Sequence, residues 1–298
     1  MARKLTELWQ VGIVHKPVAD LLAAGALQSA QITWLPDPGA FRFVADPFGL
    51  WHDGRFTVLA EAYDYRNKRG EIHFYEYDAQ FKLLRSGVAL QKPFHLSYPQ
   101  IIARDGEIYM LPEAHRSGKL TLYRATHFPD SWEPMADLFD IPAIDASVIE
   151  HDGMWWMFYA LPGDDNRAMR ELHVAWAYTL EGPWTAHSAN PVRSDLRSSR
   201  PGGQPFVHDG SIHLPVQDCD GGYGKRLHVL RIDRAEPDVF SASIVADMLP
   251  AGLLPGYDDG LHTLSAAGDV TLIDVKRLDP SPLRTWIDIQ RRFGRLLR

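Results

Sequence analysis

Residues 46–62, DPFGLWHDGRFTVLAEA, consist of an alternating apolar run, an Asp-Gly pair and a second apolar run. The pattern recurs as YPQIIARDGEIYMLPEA (98–114), DASVIEHDGMWWMFYAL (145–161), GQPFVHDGSIHLPVQDC (203–219) and, more weakly, LHTLSAAGDVTLIDV (261–275). Asp-Gly favours the positive φ angles that a type I′ turn requires, so each copy predicts a β-hairpin.

Further strand-like runs follow most of the hairpins. They are EIHFYEYD (71–78), KLTLYRAT (119–126), ELHVAWAYT (171–179) and RLHVLRID (226–233). Repeats of about fifty residues that each form a small antiparallel sheet are typical of a β-propeller. We therefore predict an all-β fold, a single five-bladed propeller over residues 1–282, in which residues 8–15 pair with the last blade and close the ring. The alternative is an open β-sandwich, but the regular spacing of the turns favours the propeller.

The tail, residues 283–298, carries apolar residues at roughly helical spacing with arginines between them. The apolar positions are Leu283, Trp286, Ile287, Ile289, Phe293, Leu296 and Leu297. This pattern predicts a basic amphipathic helix, which either docks on the propeller or meets an anionic membrane surface or a protein partner.

Composition excludes several classes of function. A net charge of −7 argues against a nucleic-acid binder, which needs a basic face. The single cysteine, Cys219, excludes an internal disulfide framework and a cysteine-rich metal site. Because no signal-peptide or membrane-span pattern is found, we expect a cytoplasmic protein.

The candidate site follows from the repeat, because the first strand of each propeller blade lines the central channel. The positions seven residues before each turn, with their neighbours, contribute Asp46, Tyr98, Asp145, Arg200 and, in the fifth copy, His262. The positions seven residues after each turn contribute Glu61, Glu113 and Gln217, followed by Asp218. The glycine-rich stretch DCDGGYGKRL (218–227) lacks the context of a phosphate loop and is expected to face the channel, which adds Tyr223.

Carboxyl groups that lie close together on one axis acquire different pKa values, because each negative charge opposes ionisation of the next. One group can then act as an acid and another as a base, as glycoside cleavage requires. The competing interpretation is structural: aspartate before proline opens turns, and buried polar contacts hold blades together. No cofactor is predicted, since the histidines lack zinc-site spacing. A divalent ion on the propeller axis is left open.

The ordered motifs ADPFGLWHDGRFTVLAE, SYPQIIARDGEIYMLPEA, IDASVIEHDGMWWMFYA, EGPWTAH and SRPGGQPFVHDG also carry a family resemblance. The chain resembles the propeller domain at the N-terminal side of plant glucosamine inositolphosphorylceramide transferases and of bacterial proteins from polysaccharide gene neighbourhoods. The resemblance implies a five-bladed propeller related to family 43 and family 32 glycosidases, and a role near polysaccharide biosynthesis. It also implies a separate domain for the transferase activity of the plant proteins.

By this resemblance, Asp46 matches the base or nucleophile of those glycosidases and Asp145 matches their second aspartate. Glu181, in EGP, mimics the fragment that carries the acid in family 43, but its segment is predicted to be an outer strand and turn. We therefore expect Glu113 or Glu61 to be the proton donor, with Arg200 and His262 orienting the substrate.

The leading hypothesis is a glycoside hydrolase-like or transglycosylase-like enzyme that acts on a glycan or glycoconjugate in the channel. One alternative is a non-catalytic glycan-binding module that uses the same channel. Another is a propeller enzyme whose carboxylates perform acid-base chemistry on a small metabolite.

Overall fold

The computed structural model describes residues 5–282 and 285–290. Its strands form five antiparallel sheets, which are the blades of a propeller. Two strands precede the first blade, and the first two blades follow in chain order. These strands are β1 (Thr6–Val14) and β2 (Ile32–Trp34), then β3 (Arg42–His52), β4 (Arg55–Asp64), β5 (Arg69–Tyr77) and β6 (Leu83–Leu90), then β7 (Ser97–Arg104), β8 (Glu107–Glu113), β9 (Leu120–His127) and β10 (Ser131–Phe139).

The third and fourth blades have short additional strands, and two strands at the end of the chain belong to the fifth. The third blade contains β11 (Ile144–His151), β12 (Met154–Ala160), β13 (Glu171–Ala177), β14 (Thr185–Ala186) and β15 (Arg193–Ser194). The fourth contains β16 (Arg200–Pro201), β17 (Phe206–His208), β18 (Ser211–Asp218), β19 (Arg226–Ala235) and β20 (Phe240–Met248), and the fifth adds β21 (Leu264–Ala267) and β22 (Val270–Asp279).

The two ends of the chain close the ring together. The fifth sheet has the order β2-β1-β22-β21, so its two outer strands come from the N-terminal part of the chain. Strand β1 pairs with β22 from Thr6 opposite Asp279 to Val14 opposite Thr271. The predicted five-bladed propeller and its closure by the N-terminal strand are both confirmed.

The Asp-Gly pairs form the predicted hairpin turns. Asp53 and Gly54 have φ angles of 48° and 72°, and the pairs at 105–106, 152–153 and 209–210 also have two positive φ angles. Two successive positive φ angles are the signature of the type I′ turn. The repeat therefore fixes the hairpin register, and with it the face to which each channel residue points.

Apolar side chains fill the wedges between neighbouring blades. Phe48 and Leu59 of the first blade pack with Ile101 and Met110 of the second, and all four are buried. The other face of the first blade packs against the fifth, where Val58 belongs to the same cluster as residues of β1 and β22. Each blade is covered on both faces, as a propeller requires.

Helical structure is limited to short segments within the described residues. These are the 3₁₀ turns Val18–Leu22 and His115–Ser117, the single turn α1 (Arg167–Arg170) and a helix over 285–290. None of the described helices combines the length and apolar character needed to cross a membrane.

The helix at 285–290 is the described part of the predicted basic helix. Ile287 is buried, whereas Trp286 is 62% exposed. Asp288 lies 3.6 Å from Lys68 of the first blade. The other predicted apolar positions, Leu283, Phe293, Leu296 and Leu297, lie outside the described residues, so a membrane or protein contact through 283–298 stays a prediction.

Candidate functional site

A cavity of about 380 Å³ opens at the end of the channel where the innermost strands begin. All five blades contribute to its walls. The lining residues are Leu5, Glu7, Trp9, Phe43, Ala45, Asp46, Glu61, Tyr63, Tyr65, His95, Ser97, Glu113, Asp145, Arg200, Tyr223 and His262. The cavity lining thus contains seven of the ten candidate site residues named from the sequence.

Irregular backbone at the start of the innermost strands places the central side chains. The ladders β3–β4, β7–β8 and β11–β12 each shift register at the repeat-equivalent residues Asp46, Tyr98 and Asp145. These residues have φ angles of 52°, 49° and 49°, in the left-handed region that costs a side chain about 1 kcal/mol or more. Such bulges redirect side chains and are concentrated at functional sites.

Asp46 lies next to the imidazole ring of His262, a residue of the fifth blade. Nε2 of His262 lies 3.3 Å from Oδ1 of Asp46, and Nδ1 lies 2.7 Å from Oδ1 of Asp274. The hydroxyl of Thr263 donates a hydrogen bond of 3.2 Å to the same oxygen of Asp46. Burial raises the pKa of Asp46 to about 6, against the lowering effect of His262.

Asp274 fixes the geometry of this group. Its Oδ1 accepts hydrogen bonds from the backbone amides of His262 and Thr263, and its Oδ2 accepts one from the amide of Asp46. Because an acceptor faces Nδ1 of His262, that nitrogen carries a proton and Nε2 is directed at Asp46. Trp9 stacks on the imidazole with ring centroids 3.8 Å apart, which holds the ring in plane.

Asp46, His262 and Asp274 also form the one group among the described residues whose ligand atoms come close enough together to suggest a metal site. Both oxygens of Asp274 already accept hydrogen bonds from N–H donors, so a cation there would displace satisfied buried contacts. The arrangement therefore fits a hydrogen-bonded cluster better than a metal site.

A second group of charges joins the second, third and fourth blades. Arg200 donates from Nε to Oδ2 of Asp145 at 2.7 Å, and Gln217 donates to the same oxygen at 3.1 Å. Glu113 contacts His115 at 2.6 Å and accepts a hydrogen bond of 3.1 Å from the backbone amide of Asp145. These contacts bind three blades together at the wall of the cavity.

The pKa values of the two carboxyl groups in this cluster shift in opposite directions. Burial raises the pKa of Asp145 well above its ordinary value, although Arg200 opposes the shift. Burial would also raise the pKa of Glu113, but hydrogen bonds from His115 and Asp145 outweigh it and lower the pKa to about 2. Glu113 is therefore ionised at neutral pH, while Asp145 retains a proton more readily.

Glu61 lies against His95 and has an unsatisfied oxygen. Its buried Oε1 has no hydrogen-bond partner among the described residues and lies 3.5 Å from Nε2 of His95. Nδ1 of His95 accepts the amide hydrogen of Gly70, and burial lowers the pKa of the imidazole to about 4. Burial, with the charge of Asp46 as the next cause, raises the pKa of Glu61 well above its ordinary value.

Aromatic side chains form much of the remaining wall. Phe43 and Tyr63 stack with centroids 4.9 Å apart, and Tyr65 meets Tyr63 edge-on at 5.0 Å. Tyr223 lies edge-on to His262 and is covered by the guanidinium of Arg200 at 5.0 Å. A cavity lined by both carboxyl groups and aromatic rings suits a sugar, which has hydroxyl edges and apolar faces.

Three nominated residues lie outside the cavity lining. The Tyr98 hydroxyl exchanges hydrogen bonds with the backbone of Gly203, and the side-chain amide of Gln217 donates to Oδ2 of Asp145. Asp218 is engaged by Arg226 at 2.8 Å. Glu181, the acid suggested by the EGP fragment, lies 3.9 Å from Arg104 and likewise does not line the cavity.

Sequence reasoning missed Asp274, Trp9, His95 and His115. For Asp274 a signal existed: it occupies the fifth-copy position at which the other copies carry Leu59, Leu111, Phe158 and Pro215. A buried aspartate at an otherwise apolar repeat position marks a departure from the common packing demand. The other three residues lie outside the aligned segments and have no comparable signal.

Comparison with known proteins assigns the chain to a family. The family described as "Glucosamine inositolphosphorylceramide transferase 1, N-terminal" matches residues 11–248. The protein belongs to this family. The matched region contains every nominated site residue except His262, so the resemblance seen in the sequence motifs is confirmed.

Two plant proteins named glucosamine inositolphosphorylceramide transferase 1 are among the relatives. The one from Oryza sativa subsp. indica is 35% identical over 209 residues, which cover 67% of this chain and 28% of that protein. The one from Arabidopsis thaliana is 36% identical over 154 residues, which cover 49% of this chain and 20% of that protein. The similarity therefore spans about a quarter of the plant proteins' length.

Solved glycoside hydrolases share the fold. A family 43 β-xylosidase/α-arabinofuranosidase from a compost microbial metagenome superposes with a TM-score of 0.56 at 14% identity, covering 80% of this chain and 91% of that one. Zg3597, a family 117 glycoside hydrolase from Zobellia galactanivorans, gives a TM-score of 0.54 at 13% identity, covering 83% and 88%. These comparisons relate the family to proteins named for carbohydrate chemistry and, at such low identity, show the fold alone.

Proposed function

We propose that the protein is a carbohydrate-active enzyme that cleaves or transfers a glycosidic bond in the central cavity. The observation that carries this proposal is that Asp46 and Glu61, on adjacent strands of the first blade, line the same cavity: Asp46 directly follows Ala45, the strand partner of Glu61. Both carboxyl groups line the cavity, and burial raises both pKa values. The pKa of Asp46 is about 6, so Asp46 is largely ionised at neutral pH, whereas burial raises the pKa of Glu61 well above its ordinary value and Glu61 holds its proton to a higher pH than an ordinary glutamate.

This difference supports a division of roles. Glu61 is the proton donor to the leaving oxygen, and Asp46, oriented by His262 and Thr263, is the base or nucleophile. Glu113 was the other sequence candidate for the acid, but its pKa of about 2 leaves it without a proton to donate. As a fixed negative charge, Glu113 instead stabilises positive charge that develops on the sugar ring.

Arg200 and Tyr223 contribute to substrate binding in this scheme. Arg200 is held by Asp145 and retains further N–H donors beside the cavity, and Tyr223 offers an aromatic face. The names of the plant relatives suggest one substrate class, a glucosaminyl or other glycosyl group on an inositol phosphate head group. A protonated amino sugar would also be attracted by the ionised carboxylates of the cavity.

Glycan binding without cleavage is a second candidate, and a specific observation favours it. Asp145 and Glu113 spend their oxygens on contacts within the protein, with Arg200, Gln217, His115 and a backbone amide. Carboxylates used in this way hold blades together, and binding alone then requires only the aromatic walls and the remaining polar groups.

A screen for turnover separates the two candidates. Nitrophenyl glycosides, neutral oligosaccharides, glucosaminyl-inositol phosphate and nucleotide sugars are incubated with the wild-type protein and with Asp46→Asn and Glu61→Gln. We expect turnover by the wild type and a loss of about 10²- to 10⁴-fold in each variant, since each removes an acid-base group.

The matched control is Glu76→Gln, which changes a buried carboxylate of the same blade that is paired with Arg55 and Arg85 away from the cavity. Turnover that survives both cavity substitutions would overturn the catalytic proposal. Glycan binding without turnover, measured by calorimetry on the same compounds, would establish the second candidate in its place.

A further inference from the structure

A groove of about 500 Å³ lies on the first blade, beside the central cavity. Its floor is one face of β5, formed by alternate side chains that point to the same side of a strand. The lining residues are Pro36, Asp37, Pro38, Arg42, Phe43, Ala62, Tyr63, Asp64, Asn67, Arg69, Glu71, His73, Tyr75 and Ser86. Residues 36–38, which follow β2, also line the groove.

The groove and the cavity are joined at Phe43 and Tyr63, which line both. These residues are cross-strand partners in β3 and β4, and their rings stack at an interplanar angle of 13°. A stacked aromatic pair at the junction is a surface over which a sugar ring can lie. A chain of sugar units that starts in the cavity would therefore continue into the groove.

Two pairs of opposite charges line the groove. Arg69 lies 3.0 Å from Glu71, and Arg42 lies 3.2 Å from Asp64. Paired groups carry little net attraction for a phosphate, but each retains donors or acceptors for further hydrogen bonds. Closely spaced guanidinium and carboxylate groups of this kind suit the neighbouring hydroxyls of a neutral sugar, and charge-assisted hydrogen bonds are the stronger ones.

We propose that this groove is a second subsite, which binds the neutral sugar units that follow the unit held in the cavity. The inference rests on the proposed carbohydrate function and adds a substrate class: an oligosaccharide or longer glycan, in place of a single sugar. The occupied groove would extend the contact from the channel across the first blade to Ser86 on β6.

The test compares ligand length. An array presents neutral oligosaccharide series from mono- to hexasaccharide, with phosphorylated monosaccharides alongside, and affinity is measured for each member. The variants are Ser86→Trp, which fills the groove from an exposed position, and Arg42→Ala, which removes a half-exposed donor. Leu84→Trp is the control, because Leu84 is an exposed residue of the same strand that does not line the groove.

We expect at least one series in which the longer members bind about tenfold or more tightly than the monosaccharide, as a few added hydrogen bonds would produce. Ser86→Trp and Arg42→Ala should reduce this ratio toward one, and Leu84→Trp should leave it unchanged. Affinity that is independent of length, or a length effect that survives both groove variants, would overturn the second subsite alone. If no glycan of any length binds, the proposed function and this inference both fail.

Discussion

The phenol of Tyr98 and the backbone of Gly203 exchange two hydrogen bonds, of 2.7 Å from the hydroxyl to the carbonyl and 2.6 Å from the amide to the hydroxyl. Tyr98 lies at the start of the innermost strand of the second blade, and Gly203 lies in the fourth blade. The contact therefore joins two blades that are not consecutive in the chain. A Cβ on Gly203 would approach the carbonyl oxygen of Leu264 to 2.0 Å, which explains why glycine is required there. The contact links blades two and four and lies outside the cavity lining.

Replacement of Tyr98 by phenylalanine should therefore destabilise the fold. The substitution leaves a buried N–H and a buried C=O of Gly203 without their partner, at a cost of about 1–3 kcal/mol. Urea unfolding measures the change. Tyr77→Phe is the matched control, because the hydroxyl of Tyr77 is buried with no partner among the described residues and its removal should cost little. Equal effects of the two substitutions would contradict the assigned role of Tyr98.

Calcium should not stabilise the protein. The oxygens of Asp274 already accept hydrogen bonds from three backbone amides and from His262, so binding of an ion would require those bonds to break. A ligand that binds the native state raises its stability, and thermal unfolding detects this as a rise in Tm. We expect the same Tm with EDTA as with millimolar calcium. A calcium-dependent rise that Asp274→Asn abolishes would show that the group is a metal site.

Arg200 and Asp145 should be energetically coupled. Arg200→Met removes the charged partner of the Asp145 carboxyl group, which is only 3% exposed. Breaking a buried pair in this way costs up to about 3–5 kcal/mol, and less to the extent that Asp145, whose pKa burial raises, takes up a proton. Asp145→Asn in the same chain removes the stranded carboxylate and tolerates the positive φ at this position, so it should restore part of the loss. A double-mutant cycle by urea unfolding tests this, and additive effects would argue against the coupling.

The repeat made most of the cavity predictable, because local rules act at each hairpin. An Asp-Gly turn fixes the register, and the register then places Asp46, Glu61, Glu113 and Asp145 at equivalent levels of their blades. The Asp-Gly turns alone are sufficient to align the equivalent positions of the blades. For these four carboxyl groups, position in the repeat was sufficient to predict that they line one cavity.

Contacts made by ring closure were not predictable in the same way. The amide of Asp46 and the carboxylate of Asp274 are 228 residues apart in sequence, and they meet because the fifth blade packs against the first. Tyr98 shows the opposite case: it has the same bulge as Asp46 and Asp145, but its longer side chain reaches Gly203 and does not line the cavity. Repeat position predicts where a strand begins, whereas side-chain length and the neighbouring blade decide what it contacts.

The raised pKa of Asp46 should appear as a pH dependence of stability. Its pKa is 3.8 in the unfolded chain and about 6 in the folded protein, so between these values the native state binds more protons than the unfolded state. Stability from this group therefore falls as pH rises from about 4 to about 6, by on the order of 3 kcal/mol, and changes little above pH 7. His95 acts oppositely in this range because burial lowers its pKa to about 4.

The difference between wild type and Asp46→Asn removes the contribution of His95 and leaves that of Asp46 together with its effect on the pKa of Glu61, which has the same sign. Asparagine keeps an oxygen for Thr263 and tolerates the left-handed φ of 52° at this position, so the fold should be retained. We expect the variant to gain stability relative to wild type as pH rises from 4 to 6, measured by urea unfolding across that range. Asp218→Asn is the control: hydrogen bonds from Arg226 and the amide of Asp220 outweigh burial and lower the pKa of this buried aspartate, so its difference from wild type should stay constant above about pH 4.5. A constant difference for Asp46→Asn as well would show that Asp46 titrates normally, and the case for it as a base near neutral pH would be lost.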